Sequence, residues 1–147
     1  MKSIIAAIDG SETSSRVVDF AAELAQKFGA KLFLLDVVNH GWPPEWALAE
    51  YAKPEQSLRA MAEFAESIAR ESVKRARTQA IERGVKEIRE EVRFGDPAEE
   101  ILKFREEVNA DTIIVGSRGH GRLGGLLLGS VSQKLASLAP CSVVIVR

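Results

Sequence analysis

Residues 112–138 read Thr112-Ile-Ile-Val-Gly116-Ser-Arg-Gly119-His-Gly121-Arg-Leu-Gly-Gly-Leu-Leu-Leu-Gly129-Ser130-Val-Ser-Gln-Lys-Leu-Ala-Ser-Leu138. The apolar run Thr112–Val115 has the character of a buried strand. Residues 131–138 have the character of a helix. Between them the chain is rich in glycine. Glycines between a strand and a helix let backbone N–H groups approach a ligand closely, and a helix N-terminus favours anions. The stretch therefore reads as a phosphate cradle inside a strand–loop–helix unit.

The same rhythm runs through the rest of the chain. Ser3–Ile8, Lys31–Val38, Lys86–Arg93 and Ser142–Val146 are strand-like. Lys86–Arg93 alternates polar and apolar residues, as an edge strand with one wet face does. Thr112–Val115 and Ser142–Val146 are nearly continuous apolar runs, which predicts strands covered on both faces. Val17, Ala21, Leu24 and Phe28 mark one face of a helix that Gly29 stops. Leu58, Met61, Ala65, Ile68, Ala69 and Ala76 predict the core stripe of a longer helix ending near Gly84. Asp96-Pro97-Ala98-Glu99 is a helix start. Asp96 caps, Pro97 takes the first position, and Glu99 can reach back. Ile101, Leu102 and Val108 would then face the core. Alternating strands and helices predict an α/β fold with a mainly parallel sheet and right-handed crossovers.

One segment breaks the alternation. Asn39–Pro54 holds three of the five prolines, both tryptophans and the only tyrosine. It is longer than an ordinary strand–helix connection. It follows a strand's carboxyl end, where open α/β sheets bind ligands. It reads either as a lid or partner-binding segment or as a loop packed on the domain.

Composition narrows the function classes. A chain of 147 residues with net charge −1 suits one domain, residues 1–147, and gives no general reason to expect nucleic-acid binding. After Asp111 there is no acid, while Arg118, Arg122, Lys134 and Arg147 remain. A locally positive segment suits an anionic ligand, though a short strand and a glycine loop also leave little room for acids. Cys141 is the only cysteine and reads as a small buried residue. No apolar stretch is long enough to span a membrane. Met1-Lys2 leads directly into a strand-like run, so no signal peptide is expected, and the cytoplasm is the expected compartment.

Three nucleotide motifs compete for the glycine stretch. Gly116 and Gly121 have the Walker A spacing, but Arg122-Leu123 stands where that motif needs Lys-Ser/Thr. Gly119-His-Gly121-Arg-Leu-Gly124 matches the dinucleotide fingerprint literally, yet no acid follows to hold a ribose. The wider pattern Gly116-x-x-Gly119-x9-Gly129-Ser130 remains.

In that pattern the chain resembles the universal stress protein family. The resemblance is carried by Ile8-Asp9-Gly10-Ser11, Leu34–Val38, Gly95-Asp-Pro97, Ala110–Gly121, Leu128–Val131 and Pro140–Arg147, and it covers essentially the whole chain. It implies a Rossmann-like fold of the adenine nucleotide alpha hydrolase type. Its sheet would be an open parallel one of order 3-2-1-4-5 flanked by helices. It implies a homodimer through the last strand, whose Val143, Val144, Ile145 and Val146 would otherwise form an exposed apolar edge. The glycines resemble those of the ATP-binding branch.

The resemblance also assigns roles. Asp9 would orient a ribose or a water on a phosphate-bound Mg²⁺; it could equally cap the first helix with Ser11 or Thr13. Ala7 would stand close to the base and Val115 would join the binding residues. Val37, rather than Val38, would contact adenine. Gly116 and Gly119 would let the loop pass close to ribose and phosphate. Gly129, Ser130, Val131 and Ser132 would offer N–H groups and hydroxyls to the phosphates. Ser130-x-x-Gln133 also reads as a capping box, a competing use of the same hydroxyl. Arg118, His120 and Arg122 would approach the outer phosphates or stay solvated, and Gly124-Gly125 marks a mobile stretch or a surface turn.

The expected function is an ATP-binding regulatory or stress-response factor. ATP with Mg²⁺ or Mn²⁺ would order residues 116–130 and so shift a surface seen by partners. The sequence displays no nucleophile–base pair, and His40 and His120 have no evident orienting partner. A slow ATP hydrolase or phosphotransferase, and a dimeric scaffold with a vestigial pocket, are the alternatives.

Overall fold

The computed structural model describes residues 1–39, 54–118 and 128–147, with side chains described from Leu58 onward in the second block. Its strands are β1 (Ser3–Ile8), β2 (Lys31–Val38), β3 (Ile88–Phe94), β4 (Thr112–Gly116) and β5 (Ser142–Val146). The helices among the described residues are α1 (Glu12–Phe28), α2 (Pro54–Glu82), α3 (Pro97–Val108) and α4 (Ser130–Leu138). All pairings are parallel, and the order is β3-β2-β1-β4-β5, as the resemblance implies.

Period-2 alternation sorts the strand residues onto two faces. Ile4, Ala6, Ile8, Leu32, Leu34 and Ile114 pack with α1 and α2. Ile5, Ala7, Phe33, Leu35, Ile113 and Val115 pack with α3 and α4. Most of these are fully buried, and each large aliphatic side chain so buried contributes about 1.5–3 kcal/mol. Phe33 meets Phe104 of α3 edge-on, ring centroids 5.6 Å apart. With no exposed face, β1, β2 and β4 need apolar residues at both parities, which is why their sequences read as continuous runs.

Helix ends follow local chemistry. Gly29 closes α1 at φ 61°, a left-handed conformation that glycine adopts without a Cβ penalty. Asp96 caps α3 by accepting from Glu99 N at 3.0 Å, with Pro97 in the first position. Glu99 does not reach back as expected; its carboxylate lies 3.4 Å from Lys134 Nζ.

Three expectations need correction. β5 is not covered on both faces: Val143–Val146 are each half-buried, because β5 is the outer strand. Cys141 is likewise only half-buried. The stripe on α2 is core only in part. Ala69 and Ala76 are buried, but Leu58 is 40% and Ile68 49% exposed. The sheet supports only the later part of this long helix. Asn39 ends the described part of the Trp- and Pro-rich segment, and residues 40–53, His40 among them, lie outside the described residues. No helix among the described residues is long and apolar enough to cross a membrane.

Candidate functional site

Strand order reverses between β1 and β4, and a cavity of about 530 Å³ opens at the carboxyl ends of the strands there. That is where open α/β sheets form ligand crevices. Its volume lies within the usual small-molecule range. Ala7, Asp9, Val37, Val115, Gly116, Arg118, Gly129, Ser130, Val131 and Ser132 all line it. These are all the expected site residues except Gly119. Gly119 lies outside the described residues, as do His120, Arg122 and Gly124-Gly125. Val38 is not part of the wall.

The cavity has an apolar slot and a polar rim. Ala7, Leu35, Val37 and Val115 from the sheet, Pro97 and Ile101 from α3, and Val131 from α4 build the slot. The parity that packs Ala7, Leu35 and Val115 against α3 and α4 also puts them in this wall. The rim runs from Asp9 through Gly116 and Arg118 to the start of α4.

The first turn of α4 differs from the expected capping box. Its N-cap is Gly129, and no side chain caps it. Ser130 is therefore the first helical residue. Gly129 N donates to Ser117 O at 2.6 Å, a contact from outside the helix, while its carbonyl accepts the first intrahelical bond, from Gln133 N at 3.0 Å. The first N–H groups of a helix have no intrahelical partner. At α4, Ser130 and Val131 line the cavity, and no capping side chain or first-turn acid occupies this helix start. Ser132 also has partners inside the protein. It is 2% exposed, and its hydroxyl donates to Ser117 O at 3.2 Å and Gly129 O at 2.9 Å.

Gly116 lines the cavity and is also closely packed. A Cβ there would lie 2.8 Å from Thr13 Cγ2 and 3.2 Å from Arg118 O. Close packing against the first turn of α1 thus disfavours a side chain there, whatever the ligand.

Asp9 holds the β1–α1 turn. Its Oδ1 accepts from Ser11 N at 3.0 Å and from Ser14 Oγ at 2.8 Å, while Ser14 Oγ accepts from Asp9 N at 3.0 Å. Ser11 is the N-cap of α1, and its own side chain caps nothing. Asp9 works with Ser14 here, a partner the sequence did not suggest.

The excess of positive charge after Asp111 is partly neutralised. Lys134 pairs with Asp96 at 3.2 Å and with Glu99, tying α4 to the start of α3. The backbone N–H of Glu99, helped by Lys134, holds the Asp96 carboxyl below its ordinary value despite the opposing effect of burial. Arg118 stays exposed on the rim.

Sequence reading missed Thr13, Ser14, Pro97, Ile101 and Asp36 in the wall. Asp36 is the buried acid of β2. One carboxylate near the end of an otherwise apolar strand was the available signal. Among the described residues there is no group of three or more His, Cys, Asp or Glu side chains placed to hold a metal.

A model described as the universal stress protein family matches residues 1–147. The chain belongs to the universal stress protein family. A universal stress protein of Thermus aquaticus is 37% identical over 149 residues, covering 99% of this chain and 98% of that one. Among solved structures, a universal stress protein in complex with cAMP has a TM-score of 0.72 at 25% identity, over 99% of this chain and 96% of that one. The Archaeoglobus fulgidus universal stress protein in complex with dAMP has a TM-score of 0.68 at 21% identity, over 100% and 98% of the two chains, a likeness of fold. The parallel order β3-β2-β1-β4-β5 is thus this chain's version of the Rossmann-like universal stress protein fold.

Proposed function

We propose that the cavity binds an adenine nucleotide, ATP with Mg²⁺ or Mn²⁺ in the working form, and that the protein acts as a nucleotide-dependent regulatory or stress-response factor. The observation that carries this reading is the pairing of an apolar slot with an uncapped helix start in one cavity. The slot suits a flat base, whose edge can be read by backbone groups at Val37. The N–H groups of Ser130 and Val131, with Arg118, suit phosphates. The family relative with bound cAMP supports the ligand class.

Magnitudes require these parts to act together. A helix end contributes about 0.3–1 kcal/mol, whereas micromolar binding needs roughly 8 kcal/mol. Base packing and several N–H contacts supply most of the difference. A divalent cation usually takes one or two carboxylates plus substrate phosphates. Asp9 is the rim carboxylate that fits such an ion, through water, because its Oδ1 is engaged in the turn. The cation would neutralise phosphate charge.

The same reading takes residues 1–147 as one domain in a cytoplasmic homodimer. The β5 edge, with Val143, Val144, Ile145 and Val146 half-buried, would lie at its centre. Calorimetric titration with ATP, AMP and GTP, with and without Mg²⁺, tests the ligand. Binding of ATP and AMP ahead of GTP is expected, and no heat at millimolar ATP would sink the proposal. Single-turnover assays with labelled ATP separate a binder, which leaves ATP intact for hours, from a slow hydrolase.

A further inference from the structure

Ser117 follows β4 directly, and its main chain is bonded on both sides. Its N–H donates to Val146 O of β5 at 2.7 Å, and its carbonyl accepts from Gly129 N at 2.6 Å. The same carbonyl accepts from Ser132 Oγ at 3.2 Å. Gly129 fits closely against this strand of chain: a Cβ on it would lie 3.4 Å from Ser117 O and 3.5 Å from Arg118 Cα. Ser117–Arg118 and Gly129–Ser132 thus form a neck that joins the two ends of the glycine-rich stretch.

The Ser132 hydroxyl has one proton and two acceptors near it, Ser117 O and Gly129 O. Neither acceptor depends on it. Gly129 O also accepts from Gln133 N, and Ser117 O also accepts from Gly129 N. The hydroxyl is therefore not needed to satisfy a buried carbonyl. What it adds is a second tie across the neck, from inside α4 to the end of β4.

We propose that Ser132 is a positioning residue for the phosphates and not a phosphate ligand. Its one proton is shared between Gly129 O at 2.9 Å and Ser117 O at 3.2 Å, and through the share that reaches Ser117 O it fixes the spacing between Arg118 on one side of the neck and the N–H groups of Ser130 and Val131 on the other. All three line the same cavity. Binding at a wall already held in register avoids part of the ordering cost that a loose wall would incur. The proposal rests on the adenine-nucleotide reading above.

The test starts without nucleotide. In Ser132→Ala, amide exchange followed by NMR should quicken at Gly129 by about three- to tenfold, the loss of one net hydrogen bond, while Ile113 and Ile114 in β4 exchange as before. The Kd for ATP should rise by a similar factor and that for adenosine should not change. Ser132→Thr, which keeps the hydroxyl, should restore both. Unchanged exchange in the free protein with weakened ATP binding would make the hydroxyl a direct ligand and overturn the proposal. Faster exchange with unchanged ATP affinity would overturn it too, leaving a tie with no bearing on the site. If the unsubstituted protein binds no adenine nucleotide, the positioning role falls with that reading, and the exchange data still report whether the tie exists.

Discussion

Gly116 and Thr13 touch so closely that a Cβ on Gly116 would stand 2.8 Å from Thr13 Cγ2. The contact locks the end of β4 to the first turn of α1, and both residues line the cavity. Gly116→Ala is expected to destabilise the fold by about 1–3 kcal/mol through overpacking. Thr13→Ser removes the nearest methyl but not the 3.2 Å contact with Arg118 O, so the double variant should recover part of the loss. Urea unfolding of the single and double variants checks this. A lone Gly116 substitution would therefore report on packing as well as on ligand binding.

Asp9 separates structure from ligand chemistry in another way. Its Oδ1 accepts two hydrogen bonds that hold the β1–α1 turn. Asp9→Asn keeps an acceptor oxygen but loses the charge, and should change stability by less than about 1 kcal/mol while weakening Mg²⁺-ATP binding. Asp9→Ala loses the acceptor and should cost about 1–3 kcal/mol, since the Ser11 N–H and the buried Ser14 hydroxyl lose their partner. Thermal unfolding and calorimetric titration of both variants read the two effects apart.

These cases mark how far the sequence could be read. The order of elements was legible because amphipathic periodicity and apolar runs are local. The Gly29 stop and the Asp96-Pro97 start were legible because caps are made by neighbours in the chain. Gly129, not Ser130, holds the cap position, and Ser117 O, twelve residues back, accepts its N–H. Nothing in Ser130-x-x-Gln133 encodes that partner. Gly116 packs against Thr13, far away in sequence, so the sequence showed its place at the cavity but not this second, packing reason for a glycine. Leu58 and Ile68 keep helical spacing in a part of α2 where they stay exposed. Asp36 was passed over because its neighbours Leu35 and Val37 made the strand read as core.

Asp96 predicts a pH dependence. Its carboxyl is held below its ordinary value of 3.8 by the Glu99 N–H and by Lys134, against the effect of burial. A group whose folded value is depressed contributes stability that is full above its unfolded value and is lost as pH falls through the folded one. Asparagine caps a helix about as well as aspartate. Asp96→Asn should therefore leave the urea midpoint nearly unchanged at pH 7 and flatten its fall below pH ~4. An unchanged acid limb would remove Asp96 from the account.

The two sheet edges differ in character. β3 presents Arg89, Glu91 and Arg93, with Glu91 ion-paired to both arginines and Arg93 also paired to Glu107. β5 presents half-buried Val143–Val146. An apolar edge invites pairing and a charged one resists it. Light scattering on a sizing column should give twice the chain mass. Val144→Lys should halve it while circular dichroism keeps its α/β shape. A monomer before substitution would contradict the β5 pairing.

The central claim is that an adenine nucleotide occupies the cavity between the slot and the start of α4. The most direct measurement is a ¹H–¹⁵N NMR titration of the intact protein with Mg²⁺-ATP. Saturable shifts are predicted at Ala7, Val37 and Val115 around the base, and at Arg118, Ser130 and Val131 around the phosphates, with the outer strand β3 unmoved. Millimolar ATP that leaves those six amides in place, or that shifts only residues outside the cavity, would contradict the account.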